Sequence, residues 1–232
     1  MITFTHTATG PGPVAPDGSP VELYKLLTPR GEQTVVHDAI PAGAAILELG
    51  CGAGRLTRAL AALGHEIVAV DECPDMLEHV PECCAGVRVR KVCSTIQALR
   101  LREDFEAVLL ASNLITSFPA ARRQFLDTCR RHVSASGSVL IEKHDPALFA
   151  APLRRQRGDR KFVVRDIVRR DGFIGATIET HVGETVWTQQ ITVEDLSHSG
   201  LLRCLAASSL AFDTYLTEDR TWLRAVPAAA TG

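Results

Sequence analysis

The stretch ILELGCGAGRLTRAL, residues 46–60, constrains the fold more than any other part of the chain. A short apolar run meets glycine at every second position, Gly50, Gly52 and Gly54, and a helical pattern follows at once, closed by Gly64. A residue without Cβ tolerates backbone angles that others avoid, and it lets a ligand lie against the main chain. The helix behind it offers free N–H groups. Strand, bare turn and helix in that order are the ligand-binding edge of a parallel α/β sheet.

The flanking sequence repeats the alternation. HEIVAVD, VRVRKV, FEAVLLAS and GSVLIEK read as further strands, separated by the helical segments CPDMLEHV and ARRQFLDTCRRHV. Strands joined by crossover helices pair in parallel, and strands this apolar are covered on both faces. The pattern changes at residues 161–193. Turn signals at Arg170-Asp171-Gly172 and near Gly183 predict two or three antiparallel strands there. A helix, EDLSHSGLLRCLAAS, and two short strands, LAFDTYL and TWLRAVP, close the sheet. The expected organisation is a flexible N-terminus over residues 1–20 and one domain over 21–232, with 150–193 as an antiparallel insertion.

Composition narrows the function. A net charge of −2 in 232 residues advertises no polyanion, and aromatics at 5% leave little to stack on bases, so nucleic acid is not an expected partner. No apolar run reaches the length of a membrane span, and the first 20 residues lack the basic start and apolar centre of a secretory signal. Seven cysteines without an export signal read as reduced thiols in a cytoplasm, and their spacing fits no zinc site, so no metal is expected.

The glycine spacing is GxGxG, which differs from the GxGxxG of dinucleotide binders and from the phosphate loop that ends in Gly-Lys-Ser/Thr. Asp71 ends the second strand, 21 residues after Gly50. A carboxylate there can accept hydrogen bonds from both hydroxyls of a ribose. ELGCGAGR followed by VAVDECPDML resembles motifs I and II of the class I S-adenosylmethionine-dependent methyltransferases, and LTEDRTWLRAVP is similar to the closing hairpin of those enzymes. The resemblance implies a doubly wound α/β fold, a Rossmann-like sheet of seven mostly parallel strands with the insertion after strand five acting as a lid. It also implies S-adenosylmethionine as cofactor, S-adenosylhomocysteine as product, and a small-molecule acceptor of the kind met in bacterial specialised metabolism.

Carried over by position, the resemblance assigns roles. Glu48 orients the glycine loop or meets the methionine amino group. Gly50, Cys51 and Gly52 lie against the cofactor, Asp71 holds the ribose, and Glu72 and Met76 flank the adenosine. The acid that such enzymes carry after strand three is replaced by Ser94 and Thr95, which still offer a hydroxyl and a backbone N–H to adenine. Tyr24, on a helix before the core, touches the methionine end. Ser112 and Asn113 stand where methyl group and acceptor meet.

If the nucleophile carries a proton, a base must remove it. His144 in EKHDP is the expected base, with Asp145 to orient it or to act in its place, because strand five ends at the ligand edge. On the insertion, Trp187 is a candidate wall for the acceptor and Arg154 a candidate grip for an acceptor carboxylate or phosphate. Methylation of oxygen or nitrogen by a monomer or homodimer is the expected function. A cofactor-binding regulator without transfer activity and a protein or peptide acceptor are the alternatives.

Overall fold

A computed structural model describes residues 7–229. In chain order the elements begin with β1 (Thr7–Thr9), α1 (Val21–Leu26), α2 (Glu32–Asp38), β2 (Ile46–Leu49), α3 (Arg55–Ala62), β3 (Ile67–Asp71) and α4 (Pro74–Leu77). They continue with β4 (Cys83–Cys84), β5 (Val87–Cys93), β6 (Phe105–Leu110), α5 (Pro119–His132) and β7 (Val133–Glu142). Then come β8 (Leu153–Arg157), β9 (Arg160–Arg170), β10 (Phe173–Val182), β11 (Thr185–Glu194), α6 (His198–Ala207), β12 (Leu210–Tyr215) and β13 (Trp222–Pro227).

The main sheet runs β12-β13-β7-β6-β2-β3-β5-β4. From β7 through β5 neighbouring strands are parallel, whereas β13 runs antiparallel to both β7 and β12. Seven of the eight strands are the expected ones. The eighth, β4, is a two-residue hairpin arm on β5 that the sequence reading missed. All four residues of β2 are buried, with Leu47 and Leu49 in the core on one face and Ile46 in the core on the other. Successive side chains of a strand point to opposite faces, so an unbroken apolar run means two covered faces. Each fully buried Leu, Ile or Val side chain contributes roughly 1.5–3 kcal/mol over an exposed one. The core therefore fixes the register of β2, and with it the place where the glycines emerge.

A second sheet of five strands, β1-β11-β10-β9-β8, stands over the ligand edge. It is wider than expected at both edges, because β8 and β1 join the hairpins. Asp171-Gly172 is the whole connection between β9 and β10, and both residues have positive φ, as a two-residue hairpin turn requires. Phe149, Val164 and Ile174 build a separate small core under this sheet. Two contacts tie it to the main domain. Arg122 on α5 donates to the Glu194 carboxylate at the end of β11 (2.8 Å), and Phe118 lies against Phe173 with ring centroids 5.6 Å apart.

The N-terminal segment departs from the expectation of a flexible tail over residues 1–20, of which residues 1–6 lie outside the described residues. Thr7, Ala8 and Thr9 pair with Gln190, Gln189 and Thr188 of β11. Trp187 Nε1 donates to the Pro11 carbonyl at 3.0 Å, and Gly10 sits so close to the Trp187 ring that an added Cβ would stand 2.5 Å from it. Residues 7–20 form a strap from the lid edge down to α1. Among the described residues no helix is long and apolar enough to cross a membrane.

Candidate active site

The glycine loop turns because all three of its glycines adopt positive φ: 68° at Gly50, 54° at Gly52 and 80° at Gly54. L-residues pay a steric penalty there, which explains the every-second-residue pattern. Gly50 also needs the space, since an added Cβ would meet Leu114 at 2.8 Å. Cys51 donates its N–H to Val70, tying the loop back to β3. Beneath it Glu48 is buried and accepts from the Thr57 hydroxyl at 2.6 Å. Burial pushes the Glu48 carboxyl up to about 7.

Asp71 ends β3 against this loop. One carboxylate oxygen accepts from Gly52 N–H (2.8 Å) and the other from Cys73 N–H (2.9 Å). Each oxygen of a carboxylate can accept twice, so both keep acceptor capacity for the cleft. Burial raises the Asp71 pKa, and the two N–H donors act against that.

Two cavities of about 320 and 350 Å³ open over this edge and share Tyr24, Gly50, Asp71, Ser112 and Asn113 among their walls. The first runs under α1 past Cys51, Gly52 and Met76 to a mixed-charge end made by Arg30, Glu32, Arg55 and Glu142. Glu32 and Arg55 pair at 2.5 Å, while Glu142 accepts from Ser112 N–H at 2.7 Å. Burial raises the Glu142 pKa. The second cavity passes Glu72, Ser94 and Thr95 and continues up to the lid, where Ile178 and residues 189–193 of β10 and β11 close it. Ser112 and Asn113, at the junction, both have positive φ (55° and 63°). Two consecutive non-glycine residues in that region store strain, a feature that clusters at functional sites.

Residues 46–137 match the family described as a methyltransferase domain. Over that stretch the chain is similar to methyltransferase domains. Among curated proteins it is 29% identical over 131 residues to the cypemycin N-terminal methyltransferase of a Streptomyces species, covering 55% of this chain and 51% of that one. The chain thus spans about half the length of this curated relative. Among solved structures, the CcbJ methyltransferase of Streptomyces caelestis superimposes with a TM-score of 0.73 at 16% identity, over 90% of this chain and 96% of that one. CalS10 of Micromonospora echinaspora, an amino pentose methyltransferase involved in calicheamicin biosynthesis, gives 0.63 at 16% identity over 85% and 89%. At such identities the likeness is one of fold.

Most residues named from the sequence stand at the two cavities. Tyr24, Gly50, Cys51, Gly52, Asp71, Glu72, Met76, Ser94, Thr95, Ser112 and Asn113 all line one or both. Tyr24 faces the loop, with its Cδ1 3.4 Å from where a Cβ on Gly52 would be. Burial raises its pKa, and its hydroxyl bonds with Ser19 and Gln189. Glu48 lines neither cavity. Of the two roles considered for it, the geometry leaves only support of the loop, through Thr57.

Four residues stand elsewhere. His144 lines neither cavity; it is 9% exposed, packs edge-on against Phe149 with centroids 5.1 Å apart, and leaves its Nδ1 without a partner. Burial, helped by Lys143, drives its pKa down to about 4, so it stays neutral and away from the reaction. Asp145 accepts from Ala147 N–H at 2.8 Å and caps the short turn into the insertion. Trp187 is buried on the strap and is no wall of the cavities. Arg154 is exposed on β8, at the opposite edge of the lid from β1. The turn after β7 folds His144 under Phe149, the strap covers Trp187, and Arg154 stands on the far edge strand of the lid, so the cavity is lined instead by other residues of β10, β11 and the strap.

The sequence reading missed Asp17 and Ser19 of the strap, Arg30 and Glu32 before the core, and Gln189, Gln190 and Thr192 of the lid. Only the Asp17-Gly18 turn signal hinted that the first of these segments is ordered. Two further histidines are buried away from the cavities. His65 is fully buried against Ala44 O and His37, and burial lowers its pKa. His132 is likewise buried, accepting from Leu101 N–H, and lowered.

Proposed function

We propose that the protein is a cytoplasmic enzyme that binds S-adenosylmethionine in the cleft over β2 and β3. It moves the methyl group to a nitrogen or oxygen of a small molecule held under the lid, in bacterial specialised metabolism. The observation that carries this reading is the junction at Ser112 and Asn113, where the cavity over the glycine loop opens into the cavity under the lid. An aligned transfer needs two ligands end to end, and most of its rate comes from holding them so.

The residues present fit the cofactor. The three positive-φ glycines leave the main chain bare along one wall. Asp71 has two free acceptor positions for ribose hydroxyls. Thr95 and Ser94 stand beside Glu72 where an adenine would lie, with Ile96 as an apolar face. Arg30 and Glu142 supply one charge of each sign for an α-carboxylate and an α-ammonium. When bound, the cofactor supplies an electrophilic methyl on a sulfonium. The chain supplies orientation, and the lid and strap exclude water. The similar proteins, an N-terminal methyltransferase and an amino pentose methyltransferase, support a small or peptide-like acceptor of this general type.

Calorimetric titration of S-adenosylmethionine and S-adenosylhomocysteine into wild type and Asp71→Asn tests the reading. Binding that weakens about 5- to 150-fold in the variant is expected, the equivalent of roughly 1–3 kcal/mol for a lost hydrogen-bond partner. A folded wild type that binds neither compound would overturn it.

A further inference from the structure

We propose that the acceptor is an amine and that Asp17, on the strap, is the residue that holds its nitrogen. The proposal rests on the reading above and adds the acceptor's chemical class.

The charge of the upper cavity argues for it. Three carboxylates line it, Asp17, Asp71 and Glu72, and among its described lining residues there is no lysine, arginine or histidine. An acceptor bearing a phosphate or carboxylate would be desolvated against like charge with no cation to pair with. A neutral or basic acceptor suffers no such penalty. Asp71 and Glu72 lie at the end of β3, where the ribose and adenine are expected. Asp17 lines both cavities, as Ser112 and Asn113 do, and so stands at the junction where methyl group and acceptor would meet.

Asp17 is prepared for the task. One of its carboxylate oxygens accepts from Ser19 N–H and the other from Ser19 Oγ, each at 2.9 Å. Ser19 is itself buried at 7% exposure. The carboxylate is therefore anchored at its base while each oxygen keeps a free lone pair. Its charge is felt across the cavity by Tyr24, Asp71 and Glu72, each of whose pKa it helps to raise. An amine that donates one N–H to Asp17 keeps its lone pair for the methyl group. An amine that arrives as ammonium first gives one proton to the exposed Asp17 carboxylate, which passes it to water. The neutral nitrogen then takes the methyl group from the sulfonium, leaving as a methylammonium beside the neutral thioether, so no histidine is needed at the junction. The rest of the wall pairs amide and hydroxyl groups (Gln189, Gln190, Thr192) with apolar Ile178 and Ile191. That surface suits a ring carrying hydroxyls on one side and carbon on the other.

The test uses the full chain saturated with S-adenosylhomocysteine, titrated with three probes that differ in one substituent: glucosamine, glucose and glucuronate. Ligand-observed NMR gives their relative affinities, and calorimetry gives the S-adenosylhomocysteine affinity separately. Glucosamine is expected to bind at least tenfold tighter than glucose, with glucuronate weakest. In Asp17→Asn, whose amide can still bond Ser19, the preference for the amine over glucose should vanish when S-adenosylhomocysteine is held at saturation. Equal binding of the three probes, preference for glucuronate, no binding of glucosamine, or an amine preference that survives Asp17→Asn would each overturn the assignment. Loss of S-adenosylhomocysteine binding by the wild type is a different result and would overturn the cofactor reading instead.

Discussion

The wall over the glycine loop and the wall under the lid are built by opposite means. The first is local. Gly50, Gly52 and Gly54 lie within five residues, Asp71 ends the next strand, and parallel pairing of β2 with β3 alone brings them together. The second is assembled from afar. Asp17 and Ser19 come from a strap whose strand pairs with residues 188–190, and the remaining wall comes from a sheet folded on its own small core. The contrast teaches that a fixed chemical grip can be coded in a short stretch, whereas the acceptor's identity is delegated to parts that can vary without touching it.

That contrast can be broken in graded ways. The largest effect is expected from Trp187→Ala. Truncating a buried tryptophan costs about 3–5 kcal/mol, here mainly from the strap and lid that the ring joins. Hydrogen exchange should accelerate over residues 7–19 and β11 while β2, β3 and β6 keep their protection, and S-adenosylhomocysteine should bind nearly as before. Equal loss of protection in the main sheet would show that the two walls are one unit.

Next comes Glu48→Gln, on the cofactor side. A carboxyl raised from 4.5 to about 7 in the folded state binds more protons there than in the unfolded chain. Its folded form is therefore favoured at low pH, and stability falls as pH climbs from about 4.5 to about 7, by up to roughly 3 kcal/mol. Chemical denaturation across that range should show the decline in wild type relative to Glu48→Gln. His144 has the opposite slope over nearly the same window, since a histidine lowered from 6.5 to about 4 loses stability as pH falls below 6.5. The two largely cancel in wild type, so His144→Phe should unmask the Glu48 decline and Glu48→Gln the histidine's rise. A single variant that leaves the profile flat would mean that the burial of the remaining group is relieved in solution.

A smaller effect, about 1–2 kcal/mol, is expected from Gly50→Ala, which forces a Cβ at positive φ toward Leu114. Thermal unfolding should register it, and cofactor affinity should fall with it. The smallest is the effect of His144→Phe on turnover, expected to stay within twofold near neutral pH once an acceptor is in hand. A hundredfold loss would restore the histidine as base.

The same division explains what was legible in the sequence. The strand run, the glycine spacing and Asp71 are local signals, each tied to a backbone or hydrogen-bond requirement within a few residues. They led to the glycine-loop edge and to the strands of the main sheet. The acceptor side left no such mark. Thr7–Thr9 looks like the start of a Gly- and Pro-rich tail until its partner 180 residues away is known, and Gln189 and Thr192 are ordinary residues of a half-exposed strand. His144 misled for the same reason. Its place at the end of β7 is right for a base, but the turn capped by Asp145 brings Phe149 over its ring and seals it away.

The pairing of β1 with β11 also orders events in time. Residue 7 leaves the ribosome long before residue 190 exists, so the earliest-made segment of the described chain has no partner until the lid has been synthesised and folded. Closing so long a loop is slow compared with local pairing. The strap is thus seated only after β2, β3, β5, β6 and β7 have been made, and a nascent chain passes through a stage in which the glycine loop and Asp71 exist without the wall that will face them.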